Sequence, residues 1–217
     1  MIGENRYRAL FLSDFHLGSK HCQVERLQAF LDHNTADRIY LIGDVFDHVI
    51  SLFNLKKTHR AILSTLAKKA FNRTEIIYIP GNHDSIFRHY IGKYGLVTVA
   101  RRYMHDAKHG KNFLVTHGDE TDMFGLSWTL RFLITVERLF PISLWEVCRK
   151  FLGPLIRTHT HKFEQKMRKE AAGFAGVICG HIHQPSLTVG YMNSGDWVHH
   201  CTAIAEHYNG KFELLQG

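Results

Sequence analysis

Residues 39–47 read Ile39-Tyr40-Leu41-Ile42-Gly43-Asp44-Val45-Phe46-Asp47. Four apolar residues run into a glycine and then two carboxylates. A short, wholly apolar run suits a strand buried on both faces. The glycine allows a sharp turn where the strand ends. The same pattern recurs along the chain. Ala9-Leu10-Phe11-Leu12 ends at Ser13-Asp14-Phe15-His16, and Ile76-Ile77-Tyr78-Ile79 ends at Pro80-Gly81-Asn82-His83-Asp84. Phe113-Leu114-Val115-Thr116 ends at His117-Gly118-Asp119, and Gly176-Val177-Ile178-Cys179 at Gly180-His181-Ile182-His183. Helical spacings lie between the first three runs. Val24, Leu27, Phe30 and Leu31 share a face within Gln23–Asp32, as do Ile62, Leu63, Leu66 and Ala70 within Leu55–Phe71. Strand, loop, helix, strand predicts an α/β fold on parallel strands.

Farther along, Val97–Ala100 and Arg101–Asp106 read as strands, with Lys108–Asn112 as a hairpin turn. Ser186–Gly190, Trp197–Glu206 and Lys211–Leu215 read as closing antiparallel strands, the last two joined by the turn His207–Gly210. The interlude Gly125–Glu170 is helical in pattern, with breaks expected at Pro141 and near Gly153-Pro154. It combines large apolar groups, among them Trp128, Phe132, Phe140, Trp145 and Phe151, with nine Lys/Arg against four Glu.

The 217-residue chain carries a net charge of +7, so anionic partners are favoured. Its 45% hydrophobic and 22% charged content excludes whole-chain disorder and coiled coil. The four cysteines form no C-x-x-C pair and read as buried free thiols of a reducing compartment. No secretory leader and no span long enough for a bilayer is visible. The expectation is a cytoplasmic protein able to lie on the inner face of the membrane. Seventeen histidines raise the expectation of a metal site.

Strand ends are where open α/β sheets bind ligands. Each cluster alone is weak evidence, since a lone Asp-x-His is more often surface or core. Five clusters in this order, each at a strand end, are not coincidence. Carboxylates, imidazoles and one amide suit Mn, Fe, Zn or Co. Asp14, His16, Asp44 and His183 are expected to hold one ion, and Asp44, Asn82, His117 and His181 a second, with Asp44 bridging. Two cations about 3.5–4 Å apart polarise a phosphoryl group and activate water. His83 is left to donate to a phosphoryl oxygen or to protonate the leaving oxygen, with Asp84 expected to orient its ring. Asp47 reads as a supporting or capping residue. Asn193 and Asp196, with Arg131 and Arg157 of the interlude, are candidates to touch substrate.

Asp-x-His, Gly-Asp-x-x-Asp, Gly-Asn-His-Asp, His-Gly-Asp and Gly-His-x-His together resemble the calcineurin-like metallophosphoesterases, over Leu10 to Trp197. The resemblance implies a single domain, a four-layer α/β/β/α sandwich, with a dimetal centre at the strand ends and a helical lid insertion at about 125–170. It implies the same seven ligands and His83 as the catalytic histidine. Leu12–Gly18, His181–Pro185 and the insertion after His117 look like the branch that hydrolyses UDP-2,3-diacylglucosamine to UMP and 2,3-diacylglucosamine 1-phosphate in lipid A synthesis, usually with Mn²⁺. An Arg stands in the best-known members where this chain has His83. Tyr191–Val198 looks more like a sister branch. The alternatives are another phosphodiester or phosphomonoester as substrate, or a non-catalytic scaffold on this fold. Nucleic acid is not expected as a partner.

Overall fold

The computed structural model describes residues 5–48, 55–121 and 143–217, with side chains of the long third helix described from residue 157 onward. Twelve strands and three helices are present among them. In chain order they are β1 (Asn5–Leu12), α1 (Val24–His33), β2 (Asn34–Ile42), α2 (Lys57–Phe71), β3 (Glu75–Ile79), β4 (Gly92–Tyr94), β5 (Val97–Val99), β6 (Arg102–Asp106) and β7 (Asn112–Thr116). There follow α3 (Ser143–Glu170), β8 (Gly176–Cys179), β9 (Ser186–Thr188), β10 (Tyr191–Asn193), β11 (Thr202–Glu206) and β12 (Phe212–Gln216).

The strands form two mixed sheets. The larger has the order β12-β11-β1-β2-β3-β5-β4, the smaller β6-β7-β8-β10-β9. Strands β1, β2, β3 and β5 run parallel, as do β7, β8 and β10. The alternation of each strand divides its apolar residues between two cores. Phe11, Tyr40, Ile42, Ile77 and Ile79 of the large sheet meet Phe113, Val115, Ile178 and Met192 of the small one. Leu10, Leu12, Ile39 and Leu41 turn the other way, onto Leu27 and Leu31 of α1 and Ile62 and Leu66 of α2. On the outer face of the small sheet, Leu114, Val177 and Tyr191 pack with Phe163 and Met167 of α3.

Several boundaries differ from the sequence expectation, each for a local reason. Strand β2 starts at Asn34 rather than near Ile39. The Asn34 amide donates to the Phe30 carbonyl at 2.8 Å and closes α1 just as the chain extends. The helix α3 runs unbroken through Gly153-Pro154, where a break was expected. A proline removes one hydrogen bond, and a long helix can bend past it. Phe163 and Met167 are buried in the body, so the last turns of the expected lid belong to the core. Residues 125–142, including Pro141 and Arg131, lie outside the described residues. Trp197–His200 is a turn, not strand, because the Asp196 carboxylate accepts the Val198 and His199 N–H groups. Cys22, Cys179 and Cys201 are buried free thiols.

Candidate metal centre

The five predicted strand ends meet at one pole, where the C-terminal ends of β1, β2 and β3 lie side by side with those of β7 and β8. The loops are stitched together by backbone hydrogen bonds. Asp14 N–H donates to Gly43 O at 3.0 Å, His16 N–H to Asp44 O at 2.9 Å, and Gly180 N–H to His117 O at 3.2 Å. Glycines let them close in. A Cβ at Gly81 would stand 2.3 Å from Asp44 Oδ1, and one at Gly180 would stand 2.6 Å from Asp14 Oδ2.

The side chains converge accordingly. His183 Nε2 is 3.2 Å from Asp14 Oδ1 and 3.4 Å from His16 Nε2. His16 Nε2 is 4.0 Å from Asp14 Oδ1 and 3.9 Å from Asp44 Oδ2. On the other side of Asp44, His117 Nε2 is 3.5 Å from Oδ1, and His83 Nε2 is 4.0 Å from Oδ2. Asp14, Asp44, His16 and His117 are all buried. Asp14 Oδ1 and His117 Nε2 have no hydrogen-bond partner among the described residues. Buried polar atoms left so are costly. A lone-pair oxygen and an imidazole nitrogen, both turned toward a shared carboxylate, are what a divalent cation would satisfy.

The imidazoles are oriented from behind. His117 Nδ1 is 2.8 Å from the Ile42 carbonyl, His83 Nδ1 is 2.5 Å from the Asp47 carbonyl, and His16 Nδ1 is 3.3 Å from the Asp47 carboxylate. Nδ1 of His183 lies 4.0 Å from Asp196 Oδ2. In each ring Nε2 is left for the centre, the arrangement expected of metal-ligating histidines. His181 lies against His117, ring centroids 5.1 Å apart, and its backbone N–H donates to Asp14 Oδ2. Asn82 is exposed on the β3 loop.

The backbone here is unusual. Asp14, His16, Asp44, His181 and His183 all have φ between 50° and 71°. They are five of the eight non-glycine residues in the left-handed region among the described residues. Such conformations cost energy and concentrate at functional sites.

Electrostatics follow from proximity. Burial pushes the Asp14 carboxyl up, but His183 and His117 outweigh it and hold the group below its usual range. Burial likewise opposes ionisation of Asp44, and His117, His16 and His83 pull it far lower. Burial disfavours the charged rings of His117 and His183. Asp44 nonetheless raises His117 to about 10, and Asp14 raises His183 to about 9. His83 moves the other way: burial lowers it against the attraction of Asp44.

Two expectations are corrected by these contacts. Asp84 does not orient the His83 ring. Its buried carboxylate accepts Gly81 N–H at 2.6 Å and Val45 N–H at 2.8 Å, strapping the β3 loop to the β2 loop. Asp47 does the orienting instead. Asn193 and Asp196, candidates to touch substrate, are turned into the protein instead. Both are fully buried: Asn193 donates to Gly180 O at 2.7 Å, and Asp196 holds its turn and His200 Nδ1 at 2.6 Å. Arg157 is exposed on α3. Sequence reading also missed Arg88. Its guanidinium reaches both Asp119 oxygens at 2.8 Å and the Pro80 carbonyl, tying the β3 loop to the β7 loop. An arginine four residues beyond a strand-end Asp carries no signal of a partner in another loop.

Comparison with known proteins agrees with this geometry. The chain is 28% identical over 200 residues to UDP-2,3-diacylglucosamine hydrolase of Blochmanniella pennsylvanica, covering 82% of this chain and 80% of that protein. It is 26% identical to the Neisseria gonorrhoeae protein of the same name, covering 82% of this chain and 91% of the relative. A match to the Porphyromonas gingivalis protein of that name reaches 33% identity but spans 53% of this chain and 47% of the relative. The calcineurin-like phosphoesterase family profile matches residues 7–185. With that match over most of its length, and with the Asp/His clusters in place, the chain belongs to the calcineurin-like phosphoesterase family and is a metallophosphoesterase hydrolase.

Proposed function

We propose that the chain hydrolyses the pyrophosphate of UDP-2,3-diacylglucosamine, or of a closely similar nucleotide-linked lipid, giving UMP and 2,3-diacylglucosamine 1-phosphate. The observation that carries the phosphoester chemistry is the convergence of Asp14, His16, Asp44, His117 and His183 with two buried ligand atoms left unpartnered. Asp14, His16, Asp44 and His183 would hold one cation. Asp44 and His117 would hold the second, completed by His181 and Asn82. The N/O set suits Mn²⁺, and accepts Fe, Zn or Co. When bound, the ions supply Lewis acidity toward the phosphoryl oxygens and activate water.

The chain's own residues do the rest. The Asp47 carbonyl fixes His83 Nδ1 as the N–H donor, leaving Nε2 beside Asp44 to meet the substrate. When the ring is protonated, a form that Asp44 favours against burial, Nε2 carries a second proton that can pass to the leaving oxygen as the P–O bond breaks. The names and coverage of the relatives support the lipid, as do the apolar and basic composition of residues 125–170 and the likeness at Leu12–Gly18. The family resemblance supports a single-domain four-layer sandwich with a lid.

A second reading, a soluble phosphodiester or phosphomonoester, is favoured by His83 itself. Alkoxide leaving groups need a proton donor more than UMP does. The deciding experiment is UMP release from UDP-2,3-diacylglucosamine by Mn²⁺-loaded protein in detergent, with Asp44→Ala as the blank. Metal-dependent release is expected. Absent release, with an aryl phosphodiester still hydrolysed, would remove the lipid substrate and keep the chemistry.

A further inference from the structure

The Asp47 carbonyl meets His83 Nδ1 at 2.5 Å. A hydrogen bond at one nitrogen fixes one point of a ring. The outer torsion of a histidine side chain is soft, so that bond alone leaves the ring free to swing about the contact. Two neighbouring rings set its plane. His16 stands nearly perpendicular to His83, with 87° between the planes and 4.8 Å between centroids. His48 lies nearly parallel to it, at 21° and 4.9 Å, and so covers one face.

His48 follows Asp47 directly, so one dipeptide of the β2 loop supplies both the carbonyl and the covering ring. That dipeptide is itself anchored. The Asp47 N–H donates to the Leu17 carbonyl at 3.0 Å, and the Asp47 carboxylate lies 3.3 Å from His16 Nδ1. His48 is exposed, whereas Asp47 and His83 are half-buried. An exposed ring adds little to the core. What this one contributes is its place over His83.

We infer that His48 is a positioning residue for His83. Swinging His83 about its Nδ1 contact would drive the ring edge into the face of His48. The stack thereby keeps Nε2 on the side of Asp44, 4.0 Å from Oδ2, where the leaving oxygen is met. A proton donor has to be held within hydrogen-bond reach, and misplacement by an ångström costs orders of magnitude in rate. This role rests on the reading of His83 as the proton donor. The stack needs a flat ring and no N–H, so phenylalanine can fill it and alanine cannot.

The test compares Mn²⁺-loaded parent, His48→Ala and His48→Phe on methyl phenyl phosphate and methyl p-nitrophenyl phosphate, with His83→Gln alongside. His48→Ala should lose about tenfold or more in kcat on the phenyl ester, with little change in KM. The loss should shrink on the p-nitrophenyl ester, whose leaving group needs less proton donation. His48→Phe should return to within about threefold of the parent on both. A loss confined to KM would overturn the inference. So would no recovery by phenylalanine, which would assign His48 a contact through its own N–H. So would leaving-group dependence in His83→Gln that His48→Ala lacks. A second measurement needs no turnover: NMR couplings of selectively labelled, Zn²⁺-loaded protein report the His83 rotamer. One rotamer is expected in the parent and in His48→Phe, and averaging over several in His48→Ala. A single rotamer in all three overturns the inference. Equal losses on the two esters in His83→Gln, with the rotamers as expected, remove the donor reading and leave the positioning in place.

Discussion

His83 differs from the other imidazoles of the pole in how its charge is set. Burial lowers it, whereas carboxylates raise His117 and His183. His83→Gln should therefore keep metal binding while losing about 10²–10⁴-fold in kcat. Metal content by elemental analysis, read beside the rate, checks this, and a parallel loss of metal would make His83 a ligand instead. The raised pair carries a pH consequence. In the unfolded chain both rings titrate near about 6.5. Folded and metal-free, they stay protonated to about 9 and about 10. Their stabilisation is complete below the unfolded value and is lost as pH rises through 9 and 10. Melting of chelated protein should fall across that range, whereas melting of metal-loaded protein should stay nearly flat, because a ligating imidazole is already neutral. A flat profile for the chelated protein would contradict the contacts of both rings with Asp14 and Asp44.

The loops are held as a unit by groups that touch no substrate. Asp84→Ala strands the Gly81 and Val45 N–H groups, each buried, at about 1–3 kcal/mol apiece. A drop in melting temperature together with weaker metal affinity is expected, and a change in KM alone would refute the strap. This is also where sequence reading stops. The five strands and their ends were legible because an apolar run followed by a polar cluster is a local pattern. So were the buried faces of α1 and α2, which follow a period of 3.6 residues. Strands β4 and β10 were not legible, although β5 and β9 are as short: Gly-Lys-Tyr and Tyr-Met-Asn hold no β-branched residue, whereas Val-Thr-Val and Ser-Leu-Thr do. Asp84, Asp196 and Arg88 were misread or missed for another reason. Arg88 and Asp84 reach partners in other loops, and Asp196 spends its carboxylate on its own turn; residue type says only that a carboxylate or guanidinium needs a partner.

At the scale of the whole molecule, a buried polar chain joins the two sheets. Tyr40 of β2 hydrogen-bonds His105 of β6 at 2.9 Å, which in turn bonds Glu206 of β11 at 2.8 Å, and Arg8 of β1 reaches the same carboxylate at 2.6 Å. Glu206→Ala strands the buried His105 ring and leaves Arg8 to Asp106, at about 1–3 kcal/mol. Denaturant melts should show that loss while the metal pole keeps its stoichiometry. A change below about 0.5 kcal/mol would mean that the apolar contacts alone hold the sheets together. The left-handed residues gathered at the opposite pole pull the other way. A non-glycine residue pays about 1–2 kcal/mol to stay there, and a glycine would be relieved of it. His181→Gly is thus expected to melt no lower than its parent in chelator, though it removes a proposed ligand. Selection for heat resistance alone would wear away the reacting pole before the core, so the durable descendants of this chain would be inactive ones.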